Sequence, residues 1–219
     1  MRRDIVTAAI AIIVFTILLG VAYPLAMTGV SQVAFPGNAN GQRLYVNGKP
    51  VGSKLIGQQF ADPVRGANGK PKLDKNGNPV TNPDPRYFQP RPSATTPPDN
   101  ASATTFSNLG PNSTATRDAI ASNIQAYLQL EKPYTPGLTA GRVPVDAANS
   151  SASGVDPHIS QANASIQAHR IASVRHLPLS TVMALISRYT DGRTLGFFGE
   201  PGVNVLELNL ALSRQMGTH

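Results

Sequence analysis

Residues 5–23 read IVTAAIAIIVFTILLGVAY, and this run decides how the rest of the chain is organised. It holds no charged residue, and a helix of this length spans about 28 Å, close to the roughly 30 Å hydrocarbon core of a bilayer. The helix has no polar face, which is not the pattern of a soluble surface helix. We therefore predict a cytoplasmic tip and transmembrane anchor in residues 1–30, followed by one soluble domain in residues 31–219.

A cleaved signal peptide is the competing interpretation of this run. Signal peptides have apolar regions of about 7–15 residues that end at a small-x-small site. Here the run is longer, and the exit VAYPLA at residues 21–26 lacks a clean A-x-A pattern, so an uncleaved anchor is favoured. Arg2 and Arg3 flank the short end. By the positive-inside tendency they keep the N-terminus cytoplasmic and the main domain exported, in the periplasm or outside the cell.

The composition limits what the domain can be. The 219 residues include 19 Gly and 19 Pro, and only 14% are charged, which indicates a loop-rich domain with a modest core. The absence of Cys excludes disulfides, thiolate metal sites and a Cys nucleophile. The formal charge of +7 invites a nucleic-acid interpretation. Because Lys and Arg are scattered, we instead expect a mildly basic domain near anionic lipid and no nucleic-acid partner.

The fold class that the pattern predicts is α+β, with a hairpin-containing sheet and about three to four helices in the domain. Residues 44–51 predict a β-hairpin, because Asn47-Gly48 supplies the positive φ angles of a tight turn. Residues 53–60 carry a short strand signal. Turn-forming residues predict a linker and two loop-rich regions at 31–42, 61–86 and 92–116.

Helical periodicity dominates the C-terminal half. The predicted helices span 116–131, 160–176 and 178–191, with Thr116 and Ser160 as N-caps. Ala164, Ala168 and Ile171-Ala172 are expected to face inward, as is a stripe formed by Val182, Met183, Ile186 and Tyr189. Residues 203–212 alternate Leu like a strand, but their composition favours helix, which we expect.

Residues that could bind metals do not form a convincing site. Residues 74–78 (DKNGN) superficially suggest a calcium loop, but Pro79 and Pro85 stand where such a loop needs Gly and Glu. His169 and His176 lie seven residues apart on one predicted helix face without a carboxylate at helical spacing. Solvated or capping histidines are therefore favoured over a zinc site.

No catalytic motif is found either. The sequence has no Walker A loop and no G-x-S-x-G elbow. The best polar cluster joins Asp146 to residues 153–160, where Asp156 and His158 precede a helix start. A role in satisfying free N–H groups there is favoured over acid/base chemistry. The residues alone indicate an anchored interaction domain. The alternatives are an extracytoplasmic sensor, which usually has more cytoplasmic sequence, and an anchored hydrolase, for which no nucleophile–base pair can be assembled.

Several stretches, in the same order, resemble the C subunit of the Kdp potassium-transporting P-type ATPase (the KdpC family). The resemblance runs from the anchor almost to the C-terminus. It rests on GSKLIGQQF (52–60), YFQPRPSA (87–94), SNLGP (107–111), VPVD (143–146), ASGVDPHIS (152–160) and the ending at 195–212. Three departures fall in loops: a long insertion around 67–85, Thr105-Phe106 in place of Gly-Gly, and residues 196–199 (GFFG) inserted into the ending.

The resemblance implies a non-catalytic, single-pass subunit of an ATP-driven, high-affinity potassium importer in the bacterial inner membrane. The implied partners are a channel-like potassium-binding subunit, an ATP-hydrolysing P-type subunit and a small single-helix subunit, besides membrane lipid. The implied role is to support assembly and, as a catalytic chaperone, to raise the affinity of the ATPase subunit for ATP. ATP, Mg²⁺ and K⁺ are expected to be used by the complex, with no cofactor on this chain. Because ATP is cytoplasmic and the domain faces out, the effect on ATP affinity is expected to be indirect.

The motifs lie mostly on predicted loops, which can present side chains to a partner. Some of these loops are expected to cap the outward mouth of the channel-like subunit, where Asp146, Asp156 and Glu200 could favour cation entry. Holding the domain's own turns is an equally supported role. The candidate interface or structural residues are Gly57, Gln58, Tyr87, Phe88, Arg91, Pro92, Ser93, Asn108, Gly110, Pro111, Asp146, Ser153, Gly154, Asp156, His158, Ser160, Glu200, Asn204, Glu207 and Asn209.

Overall fold

A computed structural model of the chain describes residues 2–73, 79–103 and 108–216. The calcium-like stretch at 74–78 and the departure at Thr105-Phe106 lie outside the described residues. The chain divides into two units, Met1–Ser53 and Lys54–His219. As the pattern of the sequence predicts, the architecture is α+β, with one apolar N-terminal helix and small sheets.

The first unit begins with a long apolar helix, α1 (Arg2–Ala34), which contains one π turn at Leu18–Ala22. Within the described residues it is the one helix long and apolar enough to cross a membrane. Helix continues past residue 30, and a short helix α2 (Pro36–Ala39) follows. The linker expected at 31–42 is therefore partly wrong. Ser31 to Ala34 extend the helix because they include neither Pro nor Gly, and Pro36 then opens the next turn.

The hairpin predicted at 44–51 is confirmed. Strands β1 (Arg43–Val46) and β2 (Lys49–Ser53) pair antiparallel, with a bulge between Leu44 and Tyr45. The turn places Asn47 at φ 50° and Gly48 at φ 76°. Both angles lie in the left-handed region that Asn and Gly tolerate best, which explains why this dipeptide sets the register.

The strands of the second unit form two small antiparallel sheets. One pairs β3 (Ala61–Pro63) with β4 (Thr81–Pro83), and the other has the order β5-β7-β6. The strands of that second sheet are β5 (His158–Ile159), β6 (Thr190–Asp191) and β7 (Gly202–Asn204).

The strand signal at 53–60 is wrong beyond Ser53, which ends β2. Among the described residues, none forms a strand alongside residues 54–60. Isolated bonds hold them instead, such as that from the Gly57 amide to the Val155 carbonyl at 2.7 Å.

The helices of the second unit are α3 (Thr114–Glu131), α4 (Val145–Ala148), α5 (Gln161–Arg175), α6 (Leu179–Arg188) and α7 (Val205–Met216). Ser160 is the N-cap of α5, as predicted. Thr116 is not the N-cap of α3. Ser113 has that position, because its hydroxyl accepts from the Thr116 amide. At the C-terminus the expected helix is confirmed from Val205 onward, after β7.

The core lies where α5, α6, α7 and β7 meet around Phe88. Ala164, Ala168 and Ile171 are fully buried, so the inward face predicted for α5 is confirmed. On α6, Val182 and Ile186 are buried as predicted. Met183 is 39% exposed, and Leu185 lies in the core instead. The core cluster comprises Phe88, Ile159, Ala164, Ala168, Ile171, Val182, Leu185, Ile186, Val203, Val205, Leu208, Ala211 and Leu212.

Candidate functional site

A segment without regular secondary structure, residues 84–91, packs against the core of the second unit, and we call it the docked segment. Its Phe88 side chain is fully buried in the core cluster. Buried backbone without a strand partner leaves N–H and C=O groups that must find other partners. Side-chain amides supply many of them.

Two amide side chains bond the docked segment as a neighbouring strand would. Asn209 accepts from the Phe88 amide and donates to the Phe88 carbonyl, both at 2.9 Å. Gln167 accepts from the Gln89 amide at 2.7 Å and donates to the Gln89 carbonyl at 3.1 Å. We call Asn209 and Gln167 the amide clamps. Asn209, a sequence candidate, therefore has a structural role.

A buried ion pair between Arg170 and Glu131 supports the clamp residue Gln167. Arg170, fully buried, donates to Glu131 at 2.9 Å, to the clamp Gln167 at 3.0 Å and to the Tyr87 and Pro85 carbonyls. The second carboxylate oxygen of Glu131 is buried without a hydrogen-bond partner. Burial raises the pKa of Glu131, and Arg170 opposes that rise.

Sequence reasoning missed Gln167, Arg170 and Glu131. A signal was present, since Gln167 falls on the same α5 face as Ala164, Ala168 and Ile171. A polar residue within an apolar stripe indicates a buried hydrogen-bonding role.

The start of α5 is held by a carboxylate from the short helix α4. Asp146 accepts from the Ser160 amide at 2.8 Å, the Ser160 hydroxyl at 2.7 Å and the Asn163 side-chain amide at 2.9 Å. The Ser160 hydroxyl in turn accepts from the Asn163 backbone amide at 3.1 Å. The capping role expected of Asp156 thus belongs to Asp146.

Asp156 instead belongs to a row of neighbouring ionisable side chains that runs from Arg91 through Asp156 and His158 to Asp191. Its carboxylate lies 3.2 Å from the Arg91 guanidinium and accepts from the His158 amide at 2.9 Å. The His158 ring contacts Asp156 on one side and Asp191, at 3.2 Å, on the other. Burial alone would raise the pKa of Asp156, but hydrogen bonds from His158 and the Arg91 charge lower it. The hydrogen bond with Asp156, aided by Asp191, raises the pKa of His158 against the effect of burial.

Three of the motifs that carry the family resemblance, at 52–60, 87–94 and 152–160, lie close together around Gly57. The Gly57 amide donates to the Val155 carbonyl, and a Cβ at residue 57 would lie 3.0 Å from the Asp156 carbonyl oxygen and 3.1 Å from the Asp99 carboxylate. Nearby, the Ser93 hydroxyl donates to the Gly154 carbonyl at 2.6 Å. The structure therefore brings residues 57, 93 and 154–158 together, and glycine at 57 permits the close approach.

Asn204 and Glu207 form a separate group at the start of α7. The Asn204 side chain accepts from the Glu207 amide at 3.1 Å and donates to the Lys54 carbonyl at 2.9 Å. Glu207 forms an ion pair with Lys54. These residues connect the start of the second unit to its last helix.

The remaining candidates lie outside these networks, except that the Tyr87 carbonyl accepts from Arg170. Tyr87 stacks on Phe60 with ring centroids 5.3 Å apart, and the Arg175 guanidinium lies 4.6 Å from the Tyr87 ring centroid. Glu200 is exposed and paired with Arg193 at 2.8 Å. Pro92 is half-buried, and the exposed candidates are Gln58, Asn108, Gly110, Pro111 and Ser153.

A cleft of about 200 Å³ opens beside the clamp residue Gln167, between α3, α5 and the docked segment. Asn123, Tyr127 and Asn163 line it, and the Tyr127 hydroxyl donates to Asn163 at 2.9 Å. Across the described ranges, no three His, Asp or Glu side chains are grouped as a metal site would require. The arrangement favours a domain that holds irregular segments rigid and presents its exposed loops.

Comparison with known proteins agrees with the resemblance seen in the motifs. The family model for the K+-transporting ATPase, c chain (KdpC), matches residues 5–214. The potassium-transporting ATPase KdpC subunit of Methylococcus capsulatus is 45% identical over 206 residues, 94% of each chain. That of Polaromonas naphthalenivorans is 46% identical over 213 residues, 97% of this chain and 95% of its own. The Mycobacterium tuberculosis subunit is 41% identical over 214 residues, 98% of this chain and all of its own. The chain therefore belongs to the KdpC family.

Proposed function

We propose that this chain is the single-pass, non-catalytic subunit of an ATP-driven potassium import complex and that it supports assembly of that complex. The observation that carries the proposal is the extent of the family match, which spans residues 5–214 and so includes both the apolar helix and the second unit. The relatives are named as subunits of a potassium-transporting ATPase. An assembly role requires a membrane segment and a surface for partners, and the match covers the regions that offer both.

The proposed partners are a channel-like potassium-binding subunit, an ATP-hydrolysing P-type subunit and a small single-helix subunit. The proposed location is the bacterial inner membrane, with Arg2 and Arg3 on the cytoplasmic side and the second unit outside. The buried polar bonds support this role, because they fix irregular segments that would otherwise lose much conformational freedom on binding. Exposed residues next to these bonds, such as Gln58 beside the bonded Gly57, then meet a partner with little reordering.

The proposal extends to ATP. The subunit acts as a catalytic chaperone that raises the affinity of the ATPase subunit for ATP, and it acts indirectly, through the complex. ATP, Mg²⁺ and K⁺ bind to the other subunits. The reason is sidedness: ATP is cytoplasmic, whereas charge flanking α1 favours an exported second unit. Photo-crosslinking of an ATP analogue, added from the cytoplasmic side to the sealed complex, should label the ATPase subunit and leave this chain unlabelled. Labelling of this chain would contradict the indirect role.

Copurification tests the assembly role. A tagged full-length chain, expressed with the other subunits of its complex, should retain large polytopic partners after mild detergent extraction. A variant without residues 2–34 should lose them. A control variant in which an unrelated apolar helix replaces α1 separates membrane targeting from specific contact. If the full-length chain is extracted alone under conditions that keep the ATPase active, the assembly role is wrong.

A further inference from the structure

The loop between β6 and β7 ends in an exposed hydrophobic turn, residues 194–199, which we call the aromatic tip. Thr194 and Phe198 pair as an antiparallel bridge, with N–H to O distances of 2.9 and 3.0 Å. The turn requires positive φ at Leu195 (56°), Gly196 (84°) and Gly199 (80°). A non-glycine residue such as Leu195 rarely adopts this conformation, so the bonded turn imposes a specific shape.

The tip is fixed at its base. Arg193 donates two hydrogen bonds to the Glu200 carboxylate, at 2.9 and 2.8 Å. Immediately outside this pair, Asp191 and Gly202 are paired residues of β6 and β7. The next β7 residue, Val203, is fully buried in the core. The tip therefore extends from a sheet that is anchored in the core of the second unit.

The side chains at the tip are apolar and face solvent. Leu195 is 80% exposed, Phe197 64% and Phe198 57%, and the two rings lie with centroids 4.1 Å apart. Single exposed apolar residues are common on protein surfaces, but contiguous ones held in a fixed shape indicate an interaction site. The GFFG stretch is also an insertion relative to the family pattern, so the pattern does not require it.

We propose that the aromatic tip inserts into the headgroup region of the bilayer in which α1 is anchored. Residues 35–53 join α1 to the second unit, and this covalent attachment keeps lipid at high effective concentration around the tip. Aromatic and Leu side chains suit a membrane interface, where rings enter the acyl boundary. Because Glu200 neutralises Arg193 at the base, the exposed apolar side chains, rather than charge, carry the attraction to lipid. Because the tip protrudes, it can enter lipid, which offers no preformed pocket.

The chain contains no Trp, so a single substitution provides a local probe. The full-length variant Phe197→Trp is reconstituted in vesicles of phosphatidylcholine and phosphatidylglycerol in equal amounts, with or without brominated acyl chains. Insertion of the tip should quench more than half of the Trp emission in brominated vesicles and shift the remainder to the blue. In the same background, Phe198→Asp should abolish the quenching, because a carboxylate opposes insertion. Thermal unfolding of both variants should match the parent, since both positions are exposed.

A matched probe, Leu109→Trp, reports on another exposed loop of the second unit. Quenching of the probe at position 197 but not of the probe at position 109 supports the proposal. Equal quenching at both positions, or none at position 197, overturns it. A protein partner is identified instead if the Phe197→Trp probe is unquenched in the isolated chain but shielded from aqueous iodide once the other subunits copurify. The outcome does not depend on the proposed assembly role, because the isolated chain is sufficient for the lipid measurement.

Discussion

Side chains of single residues take the place of a neighbouring strand where Phe88 of the docked segment enters the core. Asn209 satisfies both backbone groups of Phe88, a task that a β-strand performs elsewhere. Asn209→Ala should lower the free energy of unfolding by about 3 kcal/mol, because a buried donor and acceptor each lose a partner at about 1–3 kcal/mol. Urea unfolding followed by circular dichroism measures the loss. The control Gln58→Ala, at an exposed amide, should stay within about 0.5 kcal/mol. Similar losses for the two variants would contradict the clamp role.

Gly57 is required by close packing. Its missing Cβ leaves room for the Asp156 and Val155 carbonyl oxygens, which a side chain would approach to 3.0 and 3.3 Å. Because these are backbone atoms, Gly57→Ala should destabilise the second unit by about 1–3 kcal/mol. Gly110→Ala is the matched control, since nothing lies within 4 Å of its added Cβ. Equal melting temperatures for the two variants would show that the 154–158 loop moves freely.

His158 makes stability depend on pH. Its pKa is raised chiefly by Asp156, so the contribution of the charged ring is complete below its unfolded pKa of about 6.5 and is lost as pH rises through the folded pKa. The pKa of Asp156 is lowered, so its contribution is lost at the acid end instead. His158→Gln should therefore cost more stability near pH 5 than near pH 9. Urea midpoints at both pH values measure this. A cost independent of pH would show that the ring stays neutral.

Local chemistry was predictable residue by residue, and long-range pairing was not. Asn47 and Ser160 were identified because their roles depend on neighbours within a few positions. Glu131 and Arg170 lie 39 positions apart, and the sequence around each residue gives no indication of its partner. Asp146 was recognised as part of a polar cluster. Its capping role was assigned to Asp156, since Asp156 is closer in sequence to the helix start.

The N-terminus of α5 is held more tightly than that of α3. Ser160 caps it at 3.1 Å and is itself held by Asp146, whereas the Ser113 cap of α3 has a bond of 3.5 Å. Ser160→Ala should cost about 1–2 kcal/mol, and Ser113→Ala about 0.5 kcal/mol or less. Chemical unfolding of the two variants compares them directly. A larger loss for Ser113→Ala would mean that α3, rather than α5, limits the stability of the unit.

The accuracy of predicted elements follows from what holds each one together. The α5 face was predicted correctly because its apolar spacing reflects a single buried stripe. The 53–60 strand was wrong because a strand needs a partner, and a short apolar segment does not reveal whether one exists. Strands β5, β6 and β7 were not predicted because each has only two or three residues, which is too short for a recognisable pattern.

For the molecule as a whole, the sequence predicts an anchor that is not removed. The intact mass of the chain, extracted from membranes and measured by mass spectrometry, should include residues 2–26. The soluble fraction of the same cells is the control and should contain none of the chain. Recovery from the soluble fraction of a mature polypeptide that begins beyond Ala26 would show that the apolar run is a signal peptide and not an anchor. The proposed role as a single-pass subunit would then be wrong.

The clamp between Phe88 and Asn209 also sets an order of events during biogenesis. The bond joins residues separated by 121 positions, and its second half belongs to the last helix. Because a chain is synthesised from its N-terminus, the N–H and C=O groups of Phe88 have no Asn209 partner until nearly the whole chain has been made. Completion of the core is therefore expected after synthesis rather than during it. Any chaperone that binds the nascent chain must protect Phe88 throughout that interval, and nascent chains stalled before residue 209 should remain sensitive to protease.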